Sequence, residues 1–257
     1  MTIKGAIDLV GRTILVSGGA RGLGAAFAEA CGKAGARVLI ADIRADLGAE
    51  TATRLRADGI DIDHYEVDLA DPSSIVRLAG RIAEDVGVLD GLLNNAALAT
   101  GIGGKGFDEI DIETWDRVMA INVRGTWLMT RAFAPMLKAS AHGGRVVNLA
   151  SDTALWGAPN LLHYVSSKGA VISMTRSLAR ELGAAGVSVN AIAPGLVRVE
   201  ATDYVPEQRK QLYVQGAAIQ RPQVPEDTVG TAVFLLSDAA AFVSGQVIPV
   251  NGGFVSA

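Results

Sequence analysis

The chain is short of the residues that define several protein classes. It holds 1 cysteine, Cys31, among 257 residues, so no internal disulfide can form, as expected of a reducing compartment such as the cytoplasm. No clustered Cys/His set is present, and no metal site is expected. Charged residues make up 19%, and 27 acidic against 23 basic side chains give a formal net charge of −4, which argues against nucleic acid as a partner. No apolar run approaches the roughly 18 residues of a membrane helix, so no membrane partner is expected. The opening segment, residues 1–10, carries Asp8 within its apolar stretch and lacks the layout of a signal peptide. Linkers, blocks of like charge, low-complexity tracts and fixed-period repeats are also missing, so residues 1–257 read as a single domain.

What is abundant is apolar residues, at 49%, and glycine, with 30 residues. The first excludes a disordered chain. The second exceeds the roughly 18 that a usual share of about 7% would give. Short runs rich in Val, Ile and Leu alternate with longer helical patterns. Strands are expected at 13–17, 37–41, 64–67, 88–93, 145–149, 187–192 and 246–250. Helices are expected at 22–34, 46–57, after the Asp71-Pro72 start signal, at 111–138 and along Val171, Met174, Leu178 and Leu182. Strands of this kind between helices imply a parallel sheet covered on both faces, a doubly wound α/β fold of about seven strands. Ligands bind such sheets at the carboxyl ends of their strands.

The first strand end carries Ser17-Gly-Gly-Ala-Arg-Gly-Leu-Gly24, with Gly18, Gly22 and Gly24 between a strand and a helix. Glycine allows the tight turn and the close approach of a pyrophosphate, which the helix N-terminus attracts. The spacing is G-x-x-x-G-x-G, not the general dinucleotide fingerprint G-x-G-x-x-G. Asp42 ends the second strand, where a carboxylate can accept from an adenosine ribose and repel a 2′-phosphate. That favours NAD over NADP, although Arg21 and Arg44 could each pair with a 2′-phosphate. Asp42 could equally cap the following helix.

Tyr164-Val-Ser-Ser-Lys168 places a phenol and an ammonium at i, i+4 on one helix face. A neighbouring cation favours the phenolate, so the tyrosine could exchange protons nearer neutrality than its free value of about 10. Such pairs also occur on solvated helix faces. Ser151 follows the strand 145–149, where a serine is commonly a turn or cap residue. Asn122, in the long helix, reads as a poor helix former or a satisfied core amide.

Taken in order, these motifs resemble the short-chain dehydrogenases/reductases of the classical type over nearly the whole chain. Residues 17–24 look like that family's Thr-Gly-x-x-x-Gly-x-Gly, and Val67-Asp68-Leu69 like its adenine-contacting strand end. Asn94-Asn95-Ala96-Ala97 is similar to its Asn-Asn-Ala-Gly, and Pro194-Gly195 to its Pro-Gly turn. Asn122, Ser151, Tyr164 and Lys168 match its catalytic tetrad in order and spacing. Four departures are Ser17 for Thr, Ala97 for Gly, Val199 where a Thr commonly bonds the carboxamide (Thr202 being its nearest substitute), and Asn251 for Asp.

The resemblance implies an NAD-dependent oxidoreductase moving a hydride between a secondary alcohol, or its ketone, and the nicotinamide. Tyr164 would be the general acid/base, Ser151 would bond the reacting oxygen, Lys168 would hold the ribose and lower the tyrosine's pKa, and Asn122 would anchor a proton relay. Cofactor contacts would come from Gly18, Arg21, Gly22, Leu23, Gly24, Asp42, Ile43, Asp68, Leu69, Asn95, Ala96, Ala97, Tyr164, Lys168, Pro194, Gly195 and Val197. Substrate contacts would come from Ser151, Trp156, His163 and Tyr164, an apolar pocket fitting a small-molecule alcohol or ketone, under a lid formed by 196–220. The glycine-rich stretch 101–106 is expected as a flexible loop at the site mouth. A homotetramer or homodimer built on helices 111–138 and 165–182 is also implied. The alternatives are an NADP-dependent carbonyl or 3-oxoacyl reductase, and a non-enzymatic dinucleotide-binding sensor.

Overall fold

Runs of β-branched residues buried on both faces settle into strands that only a two-sided helical cover can shield. The computed structural model describes residues 7–256, so most of the segment 1–10 lies outside the described residues. Seven strands, β1 (Thr13–Ser17), β2 (Arg37–Asp42), β3 (Ile62–Glu66), β4 (Gly91–Asn94), β5 (Arg145–Leu149), β6 (Ser188–Pro194) and β7 (Val247–Val250), form one sheet. The order is β3-β2-β1-β4-β5-β6-β7, and every pairing is parallel. The chain runs outward from β1 through β3, then returns to β4 on the other side of β1. That reversal is the topological switch point, and all strands end on the same edge.

The helices are α1 (Gly22–Lys33), α2 (Ala45–Ala57), α3 (Pro72–Val86), α4 (Ile112–Met119), α5 (Thr126–Lys138), the short α6 (Thr153–Trp156), α7 (Leu162–Gly183), α8 (Glu207–Gly216) and α9 (Glu226–Leu236). One apolar layer joins Phe27 of α1, Leu55 of α2 and Leu235 of α9 to Ile14, Val16 and Ile40. The opposite layer joins Leu78 and Ile82 of α3 and Met129 and Phe133 of α5 to Leu15, Leu39 and Leu92. Asp71 caps α3 through the Ser73 N–H, ahead of Pro72, as its start signal indicated.

Several boundaries differ from the sequence reading. β4 begins at Gly91 because Val88 belongs to the turn made by Gly87 at φ +72°. β3 starts earlier, where Ile62 pairs with Val38, and β6 runs on to Pro194, which pairs with Val250. The single helix expected at 111–138 is broken: a π-helical turn over Ala120–Gly125 separates α4 from α5. Packing accounts for the wider turn. Gly125 lies so close to Leu69 that a Cβ would sit 2.9 Å from the Leu69 Cβ, and the Asn122 amide is drawn inward to the backbone of Leu98.

A chain of buried polar groups ties the central strands to the helices on one face. The Asn94 Nδ2 donates to the Asn148 Oδ1 at 2.9 Å and to the Thr130 hydroxyl at 3.1 Å. The Asn148 Nδ2 donates to the Thr175 hydroxyl at 2.9 Å. Thr130 bonds the Thr126 carbonyl, and Thr126 that of Asn122. The chain therefore links β4, β5, α5 and α7. Asn94→Ala strands the Asn148 oxygen and should lower unfolding free energy by about 1–3 kcal/mol in urea titration. A change indistinguishable from zero would show that the bridge carries no stability.

Candidate active site

The carboxyl edge of the sheet gathers the polar residues. At its centre the turn Gly18–Gly24 bends over β1, with Gly18 and Gly22 at φ +67° and +54°, a region that favours glycine. A methyl on Gly24 would run into the Gly18 carbonyl oxygen, and one on Gly18 would come within 2.8 Å of the Ala96 Cα. Asn95 fastens the turn by donating its Nδ2 to the carbonyls of Ser17 and Gly18 at 3.1 and 3.0 Å. Ser17 returns the bracing: its Oγ accepts from the N–H groups of Asn95 and Ala96 at 3.1 and 3.2 Å. The retained hydroxyl at residue 17 thus has a structural task.

No side chain caps the N-terminus of α1, so its first N–H groups remain free to bind an anion. A groove of about 690 Å³ runs past this turn, lined by Arg21, Gly22, Val199 and Glu200 among others. Leu23 follows Gly22 on the first turn of α1. This cradle of free donors and open glycine backbone fits a dinucleotide pyrophosphate. At the end of β2 the Asp42 carboxylate accepts from the Ala20 N–H at 3.1 Å and the Arg44 N–H at 3.0 Å, so it braces the glycine turn and its own turn together. Ile43 beside it is exposed, and Arg44 turns its Nε toward Asp46 at 3.7 Å. Asp68 accepts from the Ala70 N–H, and the Leu69 side chain is spent in the core.

The catalytic candidates come together from three elements. The Ser151 Oγ accepts from the Thr153 hydroxyl at 2.9 Å and N–H at 3.3 Å, leaving its own hydrogen free to donate. Its hydroxyl faces the Tyr164 phenol and lowers that phenol's pKa, but burial is the larger effect and pushes it above the ordinary value. Lys168 is enclosed, donates from Nζ to the Leu149 carbonyl at 2.6 Å, and lies 5.6 Å from the centre of the Tyr164 ring. Burial brings its ammonium down to about 8. Burial, the largest effect on the phenol, outweighs the lowering by Ser151.

Asn122, in the π-helical turn, accepts at Oδ1 from the Leu98 N–H at 2.7 Å and donates from Nδ2 to the Leu98 carbonyl and the Ser167 hydroxyl. Ser167 in turn donates to the Tyr164 carbonyl at 2.7 Å. Thr153 and Ser167 escaped the sequence reading, because their bonds to Ser151 and to the distant Asn122 follow no motif spacing.

Of the other expected substrate contacts, His163 lies toward the rim and Trp156 toward α8. His163 is buried against the rim of residues 102–111, near the Ile102 backbone, Asp111 and Lys105, and burial lowers its imidazole's pKa. Trp156 packs edge-on against Tyr213 and Phe254, at 6.3 and 5.7 Å between ring centres. The stretch 101–106 is docked, its Gly104 N–H donating to the Asn160 carbonyl at 2.9 Å.

Pro194 closes β6, and the Gly195 N–H donates to the Val250 carbonyl. Beyond them Val197 is buried and bridges Gln223. The Thr202 hydroxyl folds back onto the Val197 carbonyl and the Val199 N–H, at 2.7 and 3.1 Å. Segment 196–220 then crosses the edge: the Tyr204 hydroxyl bonds the Ala99 carbonyl and Thr100 bonds that of Ala201. A second cavity, of about 460 Å³, lies under α8, bordered by Leu196, Tyr213, Val250 and Asn251. Neither cavity includes Tyr164 or Ser151 in its lining. Among the described residues no group of three or more His, Cys, Asp or Glu could hold a metal, and no helix is long and apolar enough to cross a membrane.

A family model described as enoyl-(acyl carrier protein) reductase matches residues 18–255. The chain is 38% identical to sorbitol dehydrogenase of Cereibacter sphaeroides, over 95% of this chain and 98% of that protein. It is 34% identical to 2-(S)-hydroxypropyl-CoM dehydrogenase 3 of Xanthobacter autotrophicus, over 96% and 98%. Among solved structures, a gluconate 5-dehydrogenase from Burkholderia cenocepacia, in complex with NADP and tartrate, superposes with a TM-score of 0.90 at 29% identity, covering 98% of each chain. With the glycine turn, the uncapped α1 and the ordered Ser151, Tyr164 and Lys168 on one edge, these likenesses settle the family. The chain belongs to the short-chain dehydrogenases/reductases and is an NAD(P)-dependent oxidoreductase that interconverts an alcohol and a carbonyl compound.

Proposed function

We propose that the protein uses NAD in preference to NADP to interconvert a secondary alcohol and its ketone, with Tyr164 moving the proton. The observation that carries this reading is the Ser151–Tyr164–Lys168 grouping beside a glycine turn whose helix N-terminus lacks a cap. When bound, the dinucleotide supplies or accepts the hydride. In reduction Tyr164 donates its proton to the carbonyl oxygen, and in oxidation it takes the proton of the alcohol. Burial keeps the phenol protonated, which suits the acid role at neutral pH. Ser151, its oxygen already served by Thr153, donates to the reacting oxygen as charge builds there. Lys168 stays largely charged below about 8 and offsets the phenolate that reduction leaves and that oxidation requires. Asn122 is a positioning residue, holding Leu98 on the cofactor side and Ser167 beneath Tyr164.

NAD is favoured because the Asp42 carboxylate is fixed at the end of β2 while Arg44 turns toward Asp46. The reading as an NADP-dependent carbonyl or 3-oxoacyl reductase draws on the exposed Arg21 and on the NADP held by the Burkholderia structure. A mere dinucleotide sensor would not need an enclosed lysine beside a tyrosine and a serine whose hydrogen is free. Segment 196–220 covers the substrate, and the neighbouring Leu98 and Leu155 favour a largely uncharged alcohol. A cytoplasmic homotetramer or homodimer completes the reading. It draws on the single cysteine and on Ile112 and Trp127, exposed on α4 and α5.

Tyr164→Phe should cut kcat/KM by about 10²–10⁴ while calorimetry shows unchanged NAD binding; near-wild-type turnover would remove the tyrosine from its role. Wild-type kcat/KM should be at least ~10-fold higher with NAD than with NADP, a gap of about 1.4 kcal/mol, and Asp42→Ala should close it. A wild-type preference for NADP would overturn the cofactor assignment. Gly24→Ala should weaken NAD binding at least ~10-fold by calorimetry with the circular dichroism spectrum retained, and unchanged affinity would show that the turn is not the pyrophosphate site.

A further inference from the structure

Asp152 adjoins Ser151 and is wholly enclosed. Its N–H donates to the Pro194 carbonyl at 3.0 Å, fixing it between the loop after β5 and the turn after β6. The carboxyl lies over Gly195, where a Cβ would come within 3.2 Å of Oδ2. Oδ1 accepts from the Tyr213 hydroxyl of α8 at 3.2 Å, and Oδ2 from the Asn251 amide at 3.5 Å. The side chain does not cap α6, and no lysine, arginine or histidine is among the groups acting on it. A carboxyl enclosed without a cation is a costly arrangement, and local helix formation does not call for it.

Helix α8 has need of such a fastening, since none of its residues is buried. Its attachments are side-chain contacts. The Tyr213 ring stacks on Phe254 at 4.7 Å and meets Trp156 edge-on, and Arg209 lies 5.7 Å over Trp156 and donates to the Pro159 carbonyl at 3.0 Å. The bond to Asp152 alone among these reaches the neighbour of the reactive serine.

We propose that Asp152 is a positioning residue whose hydrogen bond with Tyr213 latches α8 over the active site and makes closure of that cover depend on one proton. The proposal rests on the reading of 196–220 as the substrate cover. Burial pushes the Asp152 carboxyl up to about 7, so the latched form holds the proton more tightly than an open form in which water reaches the carboxyl. The latch is complete below the ordinary carboxylate value and loosens as pH rises through about 7. The hydrogen bonds from Tyr213 and Asn251 favour the ionised carboxylate and oppose that direction, and burial, the larger effect, sets it. Tyr213 and Tyr164 are phenols whose pKa values the Asp152 charge raises, and Arg209 acts on Tyr213. Asn251 is neutral.

Trp156 reports on the latch without any turnover. With Trp115→Phe and Trp127→Phe as background, it is the remaining tryptophan of the 3 in the chain. In the full chain saturated with NAD, its emission should shift to the red between pH 5.5 and 8.5, with a midpoint near 7. Asp152→Asn should abolish that midpoint. Tyr213→Phe, which removes only a hydroxyl from the exposed helix, should give red-shifted emission already at pH 5.5. In step with the emission, KM for a turned-over secondary alcohol should rise at least ~3-fold across this range in the wild type and be flat in Asp152→Asn. A midpoint surviving in Asp152→Asn, or wild-type emission in Tyr213→Phe, would overturn the latch. A midpoint lost in Asp152→Asn with a flat wild-type KM would keep the latch and overturn the reading of 196–220 as the substrate cover.

Discussion

The site hangs on one buried amide bridge, Asn94 to Asn148, between adjacent strands at the middle of a parallel sheet. Parallel strands end on a common edge, but ends alone do not hold side chains to the tolerance that proton transfer requires. The bridge does so by reaching sideways, through Thr130 into α5 and through Thr175 into α7. Those helices carry or adjoin the Asn122 turn and the Tyr164–Lys168 face. Low dielectric strengthens each bond of such a chain and penalises any missing partner, so the arrangement resists drift.

From that bracing the edge acquires two differently built halves. On the β1 and β2 side the work is done by backbone: glycines, an uncapped helix and the carboxylate of Asp42. On the β5 and β6 side it is done by desolvation. Burial moves Tyr164 up, Lys168 down and Asp152 up, each toward its neutral form. A site whose protons are held by low dielectric responds to whatever admits water, which makes the seating of α8 a chemical variable as well as a steric one.

Much of this was legible from the residues. The sheet could be read because its strands are buried on both faces and show as unbroken apolar runs, and Gly18, Gly22, Gly24 and Asp42 stood at strand ends. The break at Ala120–Gly125 could not, since the apolar spacing of 111–138 runs smoothly on and only Asn122 looks out of place. His163 and Tyr164 leave the helix in different directions, because neighbours there point roughly 100° apart. Asp152 carries no sequence signal of its own, since its partner Tyr213 lies 61 residues away, a pairing that no local pattern carries.

The central claim is that the alcohol carbon and the nicotinamide exchange a hydride while Tyr164 handles the proton. Its most direct test follows the label. A secondary alcohol found to turn over is prepared with deuterium on the carbinol carbon and oxidised with NAD, and the reduced cofactor is examined by NMR. The account predicts deuterium at a single position of the reduced nicotinamide ring and none lost to water. Label appearing in water, with unlabelled reduced cofactor, would contradict it.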